Sequence, residues 1–128
     1  MLLGSRLIVS EEATVDLDRP SEVGYFELLT RMRDEFGLGI LVTTGSLRGV
    51  ERFADRVAVF FEGGILESGS PAEHINSPQF AYTREFRSCE PGLTDLPRDL
   101  PAISREAVQE AEDAVHQAAT SLEEPFTG

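Results

Sequence analysis

Two short apolar runs, Leu7 to Ser10 and Ile40 to Thr43, constrain the fold of this chain more than any other feature. A continuous run of this length, with β-branched residues and a polar end, reads as a buried strand. The segment between them has helical period. Pro20 suits a first helical turn, Tyr25, Leu28, Leu29, Met32 and Phe36 recur at spacings of three and four, and Gly37 is a stop signal. Strand, amphipathic helix and strand make a crossover that joins parallel strands. Ligands of such sheets bind beyond the carboxyl ends of the strands. Glu11-Glu12 and Thr44-Gly45 both fall at such ends, so they are candidate site residues. A plain solvated turn is the competing reading of the two acids.

Further along, Ser46 can cap a helix reaching about Ala54, and Arg56 to Phe61 reads as a third strand of the same parallel sheet. Glu62-Gly63-Gly64 reads as a hairpin turn, with Ile65 to Glu67 returning as a short strand. Ser70-Pro71 opens a short helix, and Gln79 to Arg87 is helical. Tyr25 and Phe26 are expected in the core. His74 and His116 are expected to face solvent, since neither has a second ligand at metal spacing. After Cys89 the stretch EPGLTDLPRDLP carries three prolines and little periodicity, the mark of a linker. Ser104 then caps a last helix. Its stripe of Ala107, Val108, Ala111, Ala114, Val115, Ala118, Ala119 and Leu122 is built mostly of small residues and needs a closely packed partner.

Charge and composition narrow the function classes. The 128 residues hold 11 basic and 23 acidic side chains, a net charge of -12. Such a surface repels phosphate backbones, so nucleic acid is not an expected partner. From Arg84 onward there are four basic residues (Arg84, Arg87, Arg98 and Arg105) and ten acids, so the last third is the most acidic. A single cysteine, Cys89, allows no intrachain disulfide and is compatible with a reducing compartment. No stretch approaches the ~20 apolar residues of a membrane span, and the N-terminus turns acidic too soon for a secretory signal. The expectation is a soluble protein that could still dock on a membrane protein.

The order of several motifs carries a family resemblance: LIVSEEAT at 7–14, Leu17-Asp18, TGS at 44–46, ADRVAV at 54–59 and GGILESG at 63–69. In this order the chain resembles the C-terminal half of an ABC transporter ATP-binding subunit. Anchoring Leu17-Asp18 on the family's Leu-Asp puts Glu11 at the Walker B aspartate and Glu12 at the catalytic glutamate. Without a gap, the same register puts Thr44 before the switch histidine and Asp55-Arg56 on the family's Asp-Arg. Downstream, SPQFAYTREF at 77–86 resembles an element of oligopeptide, dipeptide and nickel importers through Pro78, Tyr82, Thr83 and Arg84. The resemblance covers about residues 5 to 90.

That resemblance implies an α/β fold, a partial P-loop NTPase (RecA-like) parallel sheet with crossover helices and a C-terminal helical extension. By the same resemblance, residues 1–70 are the C-terminal half of the ATPase core and 71–90 an importer-type extension. Residues 91–103 are a Pro-rich linker and 104–128 an amphipathic helix. The resemblance gives Glu11 the metal position, Glu12 the water-polarising catalytic position, and Asp18 a nucleotide-side loop position that also suits a helix cap. Gly45 takes the γ-phosphate-contacting position, where the family has histidine. ATP and Mg²⁺ are the implied cofactors. Transmembrane permease subunits and a second ATP-binding subunit are the implied partners. The chain departs from the family: it holds no G-x-x-x-x-G-K-[ST], no Leu-Ser-Gly-Gly, and no lysine at all. Glu11 is one methylene longer than aspartate, and Gly45 offers no imidazole. The expectation is a truncated, ATPase-deficient nucleotide-binding subunit of a peptide-type transporter. The alternatives are a non-enzymatic interaction or regulatory module derived from that fold, or one half of a split ATPase.

Overall fold

The structure, a computed structural model, describes residues 4–89 and 102–122. The chain divides into two compact units, Met1–Ala54 and Asp55–Gly128. The Pro-rich stretch expected at 91–103 lies, up to residue 101, outside the described residues.

The first unit is the crossover read from the sequence. Strand β1 (Leu7–Glu11) pairs in parallel with β2 (Gly39–Thr43), in a register that sets Leu7 opposite Gly39 and Glu11 opposite Thr43. Helix α1 (Arg19–Phe36) links them. Its ends are fixed by local chemistry. Asp18 caps it by accepting the Ser21 N–H at 2.9 Å, Pro20 sits in the first turn, and Gly37 closes it in the left-handed conformation. Helix α2 (Leu47–Phe53) follows. Ser46 occupies its N-cap position, but its side chain makes no cap bond. Instead the Ser46 N–H donates to Thr44 Oγ1 at 3.1 Å.

The small core of this unit is aromatic. Phe26 is buried, stacks on Phe53 with centroids 5.4 Å apart, and meets the edge of the half-buried Tyr25. Gly49 of α2 lies so close to the Phe26 ring that any Cβ there would overlap it. The sequence promised strands buried on both faces, and the structure corrects this. Ile8, Ser10, Ile40 and Val42 are half-buried, whereas Leu7, Val9 and Leu41 are 57%, 62% and 54% exposed. Within this unit α1 covers one face of the sheet, where the Ser10 hydroxyl bonds the Tyr25 phenol. The apolar stripe of α1 is likewise only partly used, since Leu28 and Phe36 are exposed.

The second unit begins with a hairpin. Strand β3 (Val57–Phe61) pairs antiparallel with β4 (Gly64–Gly69). The turn residues Glu62 and Gly63 both have positive φ, 42° and 85°, as a two-residue turn matched to strand twist requires. The third strand, expected in the parallel sheet, pairs with β4, and among the described residues the parallel sheet has two strands, β1 and β2. The local hairpin supplies its ladder instead. Helices α3 (Pro71–Asn76), α4 (Ala81–Ser88) and α5 (Arg105–Leu122) complete the unit.

Helix α5 finds the close packing that its small residues called for. Ala107 and Ala111 are fully buried, and Ala111 joins Val59 and Leu66 in a core flanked by Phe61, Phe80, Tyr82, Ala114 and Val115. A Cβ on Gly64 would overlap Val115, so the glycine sets how near the helix comes to the hairpin. Two carboxylates fasten the helices to one another. Glu85 of α4 accepts from the Ser104 N–H and hydroxyl at the start of α5, and Glu110 of α5 accepts the Ala81 N–H at the start of α4. The expected stripe stops short, because Ala118 and Ala119 are exposed. No helix among the described residues is long and apolar enough to cross a membrane.

Candidate functional site

The carboxyl ends of β1 and β2 bring most of the sequence-selected residues to one place. Glu11 and Thr43 are register partners, and the Glu12 N–H extends the ladder by one bond to the Thr43 carbonyl, at 2.9 Å. Immediately after the strand, Glu12 adopts φ 44°, a left-handed conformation that costs a glutamate energy and turns the chain sharply. The turn continues through backbone bonds from Val15 to Glu12 and from Leu17 to Thr14.

A pair of threonines joins the two strand ends. Thr14 is buried, and its hydroxyl bonds Thr44 Oγ1 at 3.3 Å. Thr44 Oγ1 in turn accepts the Ser46 N–H. The loop after β1 and the loop after β2 are thereby one hydrogen-bonded unit. Gly45 sits on its surface, and a Cβ there would meet nothing within 4 Å. Its φ is not positive, so the fold does not require glycine at this position. Asp18 is engaged at the start of α1. The hydrogen bonds from Ser21, side chain and then backbone, hold its carboxyl below the ordinary value of 3.8.

The donor set of this edge is one-sided. Glu11 and Glu12 are exposed carboxylates, Asp16 and Asp18 follow, and no basic residue lies between 7 and 18. Mg²⁺ needs near-octahedral oxygen coordination, and a triphosphate needs positive charge or converging N–H donors. The Glu12 N–H is already taken by Thr43. Among the described residues no three His, Cys, Asp or Glu side chains are placed to hold a metal. The edge by itself fits neither Mg²⁺ nor the phosphates of ATP. Chemically it can present carboxylates to a cation or a water molecule held by something else.

A second polar cluster escaped the sequence reading. Glu67 on β4 is buried, its side chain 3% exposed, and it accepts from Thr83 Oγ1, from the Gln79 N–H at 3.1 Å and from His74 Nδ1 at 3.0 Å. His74, expected to face solvent, is buried in the same cluster, and its Nε2 has no hydrogen-bond partner among the described residues. That nitrogen lies against Gly69, where a Cβ would leave no room. Burial works to raise the Glu67 pKa. The bonds from Thr83, Gln79 and His74, with the His74 charge, outweigh it and hold the carboxyl below 4.5. The arrangement stems from a bulge: Val59 pairs with Glu67 and Phe60 with Ile65, so Leu66 is skipped and two successive residues turn inward. The available signal was an acid preceded by the apolar strand residues Ile65 and Leu66, with His, Gln and Thr following within sixteen positions.

No family profile matches the chain. Individual relatives do. The peptidoglycan transport ATP-binding protein YejF of Agrobacterium fabrum is 36% identical over 86 residues, which is 67% of this chain and 16% of that protein. The glutathione import ATP-binding protein GsiA of Escherichia coli is 29% identical over 116 residues, 87% of this chain and 19% of that protein. The methionine import ATP-binding protein MetN 1 of Bacillus cereus is 35% identical over 80 residues, 62% of this chain and 23% of that protein. The chain thus spans about a sixth to a quarter of the length of the curated relatives it matches.

Proposed function

Since this chain is related to part of the ATP-binding subunits of ABC transporters, we propose that it contributes the carboxylate edge of such a subunit's nucleotide site and does not hydrolyse ATP by itself. The observation that carries this reading is the meeting of Glu11, Glu12 and Thr44 at the carboxyl ends of two parallel strands, with Gly45 where the family has its histidine. In this reading Glu11 stands at the metal position, Glu12 can still polarise a water molecule, and Asp18 keeps the loop beside the nucleotide in place by capping α1. The groups that bind the phosphates and the cation, a lysine among them, come from residues outside these 128. Permease subunits and a second ATP-binding subunit are the partners, at the cytoplasmic face of the membrane.

The transported solute is peptide-like in this proposal. Support comes from Pro78, Tyr82, Thr83 and Arg84, and from relatives named for peptidoglycan and glutathione transport. In this element Arg84 bonds the carbonyls of Pro78 and Gln79, and Thr83 bonds Glu67. The test is phosphate release by the purified chain with Mg-ATP, with a thermal shift as the binding readout. The expected result is no magnesium-dependent turnover above background. Robust turnover abolished by Glu12→Gln would overturn the proposal. One observation favours the split-ATPase alternative. Parallel strands are normally covered on both faces, and Leu7, Val9 and Leu41 leave an apolar face open in the first unit.

A further inference from the structure

We draw no further inference here: the strongest candidate, the outward face of the β1–β2 sheet carrying Leu7, Val9 and Leu41, is an unpartnered apolar face, and nothing in the structure shows what covers it.

Discussion

Replacing Glu67 tests whether a buried carboxylate holds the second unit together. Its two oxygens take three donors, one each from α3, α4 and the loop between them. Glu67→Ala leaves the Thr83 hydroxyl, the Gln79 N–H and the His74 Nδ1 without their acceptor. A buried polar group left unsatisfied costs about 1–3 kcal/mol. Three together would cost more than relaxation allows, so the relevant scale is the ~3–5 kcal/mol of breaking a buried pair from one side. Small domains have about 5–15 kcal/mol in all. The alanine variant should therefore lose α3 and α4, and with them most of the stability of the unit. Glu67→Gln should cost far less, because its carbonyl can still accept from Gln79 and His74 while its amide donates to the Thr83 oxygen. The protein has no tryptophan, and its two tyrosines lie one in each unit, so bulk fluorescence mixes the signals. Amide hydrogen exchange resolved by peptide separates them. Protection should vanish over 71–88 and persist over 19–36. A Glu67→Ala protein that keeps protection over 71–88, or loses less than about 1 kcal/mol in urea, would refute the reasoning. The pH dependence has a fixed sign. The Glu67 carboxyl is held below 4.5, so its contribution is full above that value and is lost as pH falls through the folded-state value. Wild type and Glu67→Gln should converge in stability in acid.

Substitutions at three glycine and cap positions have equally definite outcomes. Gly64→Ala forces a Cβ into Val115 and should lower stability by about 1–3 kcal/mol, read as a lower thermal midpoint; an unchanged midpoint would mean that α5 does not rest on the hairpin. Gly45→His places its side chain in open space and should leave the thermal midpoint within about 2–3 °C, since exposed substitutions cost little; it should not create ATPase activity, because the imidazole alone brings no phosphate-binding loop. Asp18→Ala removes the cap of α1 and should reduce helix content by circular dichroism, while Asp18→Asn, which keeps an acceptor, should restore it. The benefit of the aspartate is complete above pH 3.8 and fades below it, as its lowered pKa dictates.

The elements that could be read from the sequence are those fixed by neighbours along the chain. Asp18, Pro20 and Gly37 bracket α1 within one turn of its ends. Glu62-Gly63 makes the hairpin, and Ser70 with Glu73 makes a reciprocal cap, each bonding the other's backbone N–H. What could not be read depends on residues distant in sequence or on a break in period. The skipped Leu66 breaks the alternation of β4, and no local motif announces it. His74 reads as an exposed helix residue until Glu67, one strand earlier, is known to lie beneath it. The third strand reads as a continuation of the parallel sheet because its apolar run is the same in kind, whereas the ladder found for it is the antiparallel one with β4. At the candidate site, gapless counting selected Glu11, Glu12 and Gly45 as candidates, while the Thr14–Thr44 bond that links the two loops needed the fold.

That link bears on what the acidic edge can do. Thr14 and Thr44 tie Glu12 and Gly45 into one polar turn, so a ligand held at one strand end is met by groups from both. The charged residues of the loop after β1, from Glu11 to Asp18, are all acidic, and like charges at close range repel a triphosphate by an amount that grows as water is excluded. Positive charge has to be brought to it before the carboxylates can serve any reaction at phosphorus. The glycine at 45 gives no such help, and the backbone does not demand it: its φ is ordinary and the space above it is empty. The absence of an imidazole is thus a chemical choice of side chain rather than a consequence of the fold. In the proposed reading, the parallel register and the threonine pair are the frame of a nucleotide edge, and position 45 brings no side chain to the γ-phosphate.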